Sequence, residues 1–137
     1  MSTIPVSAHG KCVFVVDDEP NLANLLSLIL QRVGFVVRTF YDGLSAFEHA
    51  QQEPPDIVIS DVVMPRMDGL TLAAKLREHF PHCGILLASG NACFEDLLSD
   101  WRRRVGADVE ILAKPVQPEV IIRKLAALAD NPGSSQA

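Results

Sequence analysis

The chain has 137 residues, 48% apolar and 21% charged, with twelve Lys and Arg against seventeen Asp and Glu for a net charge of −5. That is the length of one domain with the composition of an ordinary globular protein, which excludes a disordered or collagen-like chain. The acidic balance argues against nonspecific nucleic-acid binding, which needs a basic face.

Residues 1–10 are small and polar without an apolar core, so a flexible leader is expected there rather than a secretory signal. From residue 11 onward, short apolar runs alternate with amphipathic stretches. The first run, Cys12–Val16, lacks polar alternation, as a strand covered on both faces does. A helix is predicted over Asn21–Val33, with Leu22, Leu25, Leu26, Ile29, Leu30 and Val33 at helical spacing and Gly34 as its stop. A second strand over Phe35–Val37 leads to a short helix over Leu44–Gln51. The run Ile57–Ile59 predicts a third strand, and a helix over Leu70–His79 follows Gly69 and ends before Pro81. Ile85–Ala88 predicts a fourth strand, followed by a helix over Phe94–Val105 that stops at Gly106. Val109–Ala113 predicts a fifth strand and Pro118–Leu128 the last helix. Residues 131–137 have linker composition, so one domain is expected over 11–130 with a flexible tail. Strands alternating with helices predict an α/β fold, a doubly wound parallel sheet with right-handed crossovers. Ligand sites in such sheets lie beyond the carboxyl ends of the strands.

The strand ends carry the chemistry. The first strand runs into Asp17-Asp18-Glu19, the third into Ser60-Asp61, the fourth into Ser89-Gly90-Asn91 and the fifth into Lys114-Pro115. Parallel strands share one carboxyl edge, so these residues are expected to converge in a shallow cleft. Clustered carboxylates repel one another, so either their pKa values rise or a cation neutralises them. Mg²⁺ takes a few carboxylate oxygens, keeps waters and completes its shell with phosphate oxygens. A carboxylate can also act as a nucleophile and form an acyl phosphate. Lysine supplies a point charge for a phosphoryl oxygen, and a serine hydroxyl can donate a hydrogen bond to another. Any one of the aspartates could simply cap the helix that follows it. Capping is a poor account of Asp17, Asp18, Asp61, Ser89 and Lys114 together.

The segments VFVVDDEP (13–20), DIVISDVVMPRMDG (56–69), ILLASG (85–90), GAD (106–108) and LAKP (112–115) resemble, in order and spacing, the receiver domain of two-component response regulators. The resemblance covers residues 11–128 and implies a (βα)5 flavodoxin-like fold. It also supplies the family's five-stranded sheet order, 2-1-3-4-5. By resemblance, Asp61 is the phosphoacceptor that attacks a phosphohistidine. Asp18 and Asp61 are implied Mg²⁺ ligands, with Asp17 acting largely through a metal-bound water and Val63 offering its backbone carbonyl. Ser89 matches the switch hydroxyl and Lys114 the lysine that pairs with carboxylate or phosphoryl oxygen. The Lys114-Pro115 peptide is often cis in the family. The implied partners are a sensor histidine kinase or histidine phosphotransfer protein, and a downstream protein at the face of the fourth helix, fifth strand and fifth helix. Neither DNA nor membrane binding is expected, and the domain signals rather than turning over a substrate.

The sequence also departs from the family pattern. Ile111 stands where the family often has a rotating aromatic three residues before the lysine, and the Gly106–Lys114 spacing is one residue long. Val63 and Asn91 occupy positions that tune dephosphorylation by water access, and the apolar Val63 implies slow attack. Two rivals are weighed. A Mg²⁺-dependent phosphohydrolase with an aspartyl nucleophile would need a second acid that Asp61-Val62-Val63 lacks. A nonphosphorylated interaction module would not need the acid set, Ser89 and Lys114.

Other features have plain readings. Cys12, Cys83 and Cys93 are an odd number with no CxxC pair, which fits a reducing compartment. No apolar run approaches the about 18–20 residues that cross a bilayer, so a cytoplasmic location is expected. The Arg102–Arg104 run suits a helix C-terminus. His79, His82 and Cys83 match no zinc spacing. Asp68 is expected to cap the third helix, and Glu19 to cap the first or join the acidic cluster.

Overall fold

The computed structural model describes residues 9–90 and 109–130, with residues 99 and 103, both helical, between them. In chain order the elements are β1 (Cys12–Val16), α1 (Pro20–Val33), β2 (Val36–Phe40), α2 (Gly43–Ala50), β3 (Ile57–Asp61), α3 (Gly69–His79), β4 (Gly84–Ser89), β5 (Glu110–Ala113) and α4 (Pro118–Asp130). The strands form one sheet in the order β2-β1-β3-β4-β5, and every neighbouring pair is parallel. The predicted helix over 94–105, Cys93, Asn91 and the GAD segment lie outside the described residues, apart from Ser99 and Arg103.

Successive side chains of a strand point to opposite faces, and here both faces are covered. Phe14, Val16, Val58, Ile85 and Leu87 pack with Leu72 and Leu76 of α3 and Phe47 of α2. Val13, Val15, Ile57, Ile59 and Leu86 pack on the other side with Leu30 of α1 and Ile121 and Leu125 of α4. Burial on two sides is why β1, β3 and β4 read as unbroken apolar runs.

β2 differs from the expectation of Phe35–Val37: it starts one residue later and runs on through Arg38 and Thr39 to Phe40. As an edge strand it buries Val37 while Val36 and Arg38 stay exposed, so its outer half carries polar residues and gives a weak apolar signal. α1 ends at Gly34, whose φ of 118° is left-handed and lets its N–H reach the carbonyls of Leu30 and Gln31. The Asp68 carboxylate caps α3, accepting from the Thr71 N–H at 2.7 Å, as expected. Glu19 occupies the N-cap position of α1 but makes no side-chain cap bond there, and Pro20 opens the helix behind it.

Candidate functional site

Register brings the functional side chains to one edge. Val16 pairs with Ser60, Asp61 with Ala88 and Ser89 with Ala113, so the residues that end or follow β1, β3, β4 and β5 emerge side by side. Asp17, Asp18 and Asp61 each offer a carboxylate oxygen, and these lie within 4.8 Å of one another. The Lys114 ammonium stands between two of them, 3.3 Å from Asp61 Oδ2 and 3.4 Å from Asp17 Oδ2.

The backbone holds these groups in place. The Lys114 N–H donates to the Ser89 carbonyl at 2.9 Å, and the Val62 N–H donates to the Ala88 carbonyl at 2.9 Å, extending the ladder past both strand ends. The Lys114-Pro115 peptide is cis, as the resemblance implied. Asp17 is pinned from two sides. Its N–H donates to the Phe40 carbonyl at 3.1 Å, and its Oδ1 accepts from the Glu19 N–H at 2.9 Å. The Ser60 hydroxyl, buried, donates to the Asp61 carbonyl at 2.9 Å. Gly69 opens α3 directly against the Asp61 backbone. Its N–H donates to the Val62 carbonyl at 2.7 Å, and a Cβ at this position would lie 2.2 Å from the Asp61 carbonyl oxygen.

Charge in the cleft is unbalanced. Burial pushes the Asp61 carboxyl above its ordinary range against the pull of Lys114, and Asp17 and Asp18 push it further in the same direction. Burial alone would lower the Lys114 ammonium, but the carboxylates of Asp61 and Asp17 outweigh it and hold its pKa above the ordinary value. Among the described residues, one ammonium thus faces three clustered acids. Such a set of hard oxygen donors, with Asp18 open to solvent, fits a divalent cation that keeps part of its water shell.

Every residue of the predicted site is among the described ones. Asp17, Asp18, Asp61 and Lys114 come together as expected. Ser89 ends β4 and is buried. Val63 lies just past β3 with its side chain 57% exposed, between the buried Val62 and Met64. Glu19 stands outside the acidic group. The sequence marks Gly69 only as the residue before the third helix, whereas in the fold it is what allows α3 to touch Asp61. The Asp-Gly pair before an apolar helix was its available signal.

A family model, the response regulator receiver domain, matches residues 13–126. The chain belongs to that family: it is a receiver domain of the two-component response regulators, a signalling module rather than a conventional enzyme. It is 36% identical over 121 residues to the probable transcriptional regulatory protein TcrX of Mycobacterium tuberculosis, an alignment covering 88% of this chain and 50% of that one. The chain therefore spans about half the length of that relative. It is 30% identical to the response regulator receiver protein CpdR of Brucella abortus, covering 84% of this chain and 93% of that protein. Among solved structures it is similar to the response regulator TrrA of Thermotoga maritima in complex with Mg²⁺ and beryllium fluoride. The TM-score there is 0.74 and the identity 31%, over 86% of this chain and 98% of that one. Among the described residues, no helix is long and apolar enough to cross a membrane.

Proposed function

We propose that Asp61 is the phosphoacceptor of this receiver and that Mg²⁺ is its cofactor. The observation that carries the reading is the Lys114 ammonium 3.3 Å from Asp61 Oδ2, within a trio of acids whose oxygens lie inside 4.8 Å. A carboxylate so placed is a nucleophile with its counter-charge already in position. The Asp61 oxygen attacks the phosphorus of a partner's phosphohistidine, and the imidazole leaves in line. Lys114 then turns from the carboxylate to a phosphoryl oxygen, and the Ser89 hydroxyl donates to another. Asp18, Asp61 and the Val63 carbonyl would hold the cation directly, with Asp17 holding it through a water. When bound, Mg²⁺ neutralises the charge gathered by the phosphoryl oxygens and the carboxylates. The Mg²⁺ and beryllium fluoride complex of the 31% identical TrrA supports this assignment.

The domain spans residues 11–130, with a leader and a tail outside it. It receives its phosphoryl group from a histidine kinase or histidine phosphotransfer protein in the cytoplasm. It signals to a protein partner through the face of β5 and α4, with the segment before β5. Phosphorylation biases an existing equilibrium of that face. The exposed, apolar Val63 makes water attack on the aspartyl phosphate slow. Replacing it in Val63→Asn is expected to shorten the phosphoryl lifetime.

Intact-mass spectrometry after incubation with Mg²⁺ and acetyl phosphate tests the assignment. One added phosphoryl group is expected, dependent on Mg²⁺ and absent from Asp61→Ala. Labelling that survives Asp61→Ala would overturn it.

A further inference from the structure

α1 is more apolar than its share of the core requires. A helix that packs on one core needs an apolar stripe roughly 100° wide. In α1 the innermost line is Ala23, Ser27 and Leu30, all buried. The apolar surface continues past them through Leu26 and Ile29 to Leu22 and Leu25, which are 46% and 56% exposed. Facing them across a gap are Val116, Pro118 and Ile121, at the start of α4. Between these walls lies a cavity of about 480 Å³, within the size range of small-molecule pockets. Its floor is the sheet itself, at Val15 and Ile59, and at one end it opens onto Asp17, Asp61 and Lys114.

Taking Asp61 as the phosphoacceptor, we infer that this groove binds the hydrocarbon chain of an acyl phosphate, so that the receiver prefers small phosphodonors with an apolar tail. One cavity offers both halves of such a molecule their surroundings. The phosphoryl group sits at Lys114 and Asp61, and the chain runs between α1 and α4. The groove is narrow because the two helices also touch each other. A helix about 10 Å across can rest on Leu22 and Leu25 but cannot enter between the walls, whereas an alkyl chain can. In the transfer, an Asp61 carboxylate oxygen forms a bond to phosphorus as the bond from phosphorus to the acyl oxygen breaks. The electron pair leaves on that oxygen, and the product is the free carboxylate with its chain. No proton or oxidant is consumed.

Two measurements test this. The first compares initial rates of Asp61 labelling by acetyl, butyryl and hexanoyl phosphate at equal, subsaturating concentrations with Mg²⁺. Each methylene fully buried is worth about fourfold, so with partial burial hexanoyl phosphate is expected to react at least about tenfold faster than acetyl phosphate. The double variant Leu22→Ser, Leu25→Ser changes two half-exposed side chains. It should leave the acetyl phosphate rate unchanged and bring hexanoyl phosphate to within about twofold of it. Equal rates across the series, or an advantage that survives the double variant, would overturn the inference. The second measurement titrates unreactive hexylphosphonate and methylphosphonate while following methyl NMR signals. Saturable shifts at Leu26, Ile29 and Ile121 with the hexyl compound alone are expected. Their absence would overturn the inference and leave the groove as a rest for a helix of a protein donor. Failure of acetyl phosphate to label Asp61 would instead strike the reading of Asp61, and the titration would still decide the groove.

Discussion

The α2 and α3 side of the sheet is closed, and the α1 and α4 side is open. Both helices of the closed side start on aspartate caps: Asp42 accepts from the Ser45 N–H at 2.7 Å and Asp68 from the Thr71 N–H at 2.7 Å. They are also pressed in close through glycines, Gly69 against the Asp61 backbone and Gly43 against Met67. On the open side, Glu19 heads α1 without a side-chain cap bond, and Leu22, Leu25 and Leu28 are about half exposed, at 46%, 56% and 47%. The difference separates two tasks at one residue. The closed side holds the backbone of Asp61 still, and the open side leaves its carboxylate approachable.

The largest expected effect comes from removing the charge at the junction of the two sides. Asp61→Asn is expected to abolish phosphoryl labelling. It is also expected to raise the melting temperature in metal-free buffer near neutral pH. Burial holds the Asp61 carboxyl above its ordinary range in the folded protein, so its ionised form is a destabilising one. A lower melting temperature would mean that the Lys114 pair outweighs burial and repulsion.

Next comes the backbone contact on the closed side. Gly69→Ala would set a Cβ 2.2 Å from the Asp61 carbonyl oxygen and 2.9 Å from the Val62 Cα, both backbone atoms that cannot swing aside. A loss of about 3 kcal/mol is expected, with slower labelling of Asp61. Gly84→Ala is the control. Its Cβ would meet the Leu128 Cβ at 3.3 Å, a contact that needs only a few tenths of an ångström of give rather than the overlap at Gly69, so the loss there should be well under half as large. Denaturant unfolding of both variants decides it, and equal losses would show that Gly69 does no special positioning.

This contrast also marks how far the residues could be read unaided. The sheet was legible because β1, β3 and β4 are covered on both faces and so carry continuous apolar runs. The edge strand β2 was placed short because Arg38 faces outward and Thr39, though it turns inward to the Ser27 hydroxyl of α1, is polar and breaks the apolar run. Asp17, Asp18, Asp61 and Lys114 were legible because parallel strands put their carboxyl ends together, whatever lies between them in the chain. The Gly69 contact joins a loop to a strand end and has no periodicity to announce it. The groove was hidden for a different reason. Leu22 and Leu25 continue the helical pattern of Leu26 and Leu30, and spacing alone does not tell a leucine that lines a cavity from one that fills the core.

The caps give the next contrast. Asp68→Ala removes the side-chain bond to the Thr71 N–H at the first turn of α3 and should cost about 1 kcal/mol. Glu19→Ala removes no such bond, and its effect is expected to stay within about 0.5 kcal/mol. Chemical denaturation of the two variants is the measurement. Comparable losses would mean that α1 is capped as firmly as α3 and that the two sides differ only in their packing.

The smallest effect is confined to acid pH. The Ser45 N–H bond to the Asp42 carboxylate outweighs its slight burial, and with the Ser45 hydroxyl it holds the group below the ordinary carboxyl value of 3.8 in the folded protein. A group whose pKa is depressed by folding contributes stability that is fully present above its unfolded value and is lost as pH falls through the folded one. Asp42→Asn keeps a side-chain oxygen for the cap but no longer titrates. Near neutral pH it is expected to differ little from the parent, because Asn and Asp cap comparably. Below the unfolded value the parent should lose stability that Asp42→Asn keeps, so the two curves of stability against pH separate on the acid side, with Asp42→Asn the more stable. Parallel curves down to the acid limit would show that the α2 cap works by hydrogen-bond geometry alone, and that its charge adds nothing to the closed side.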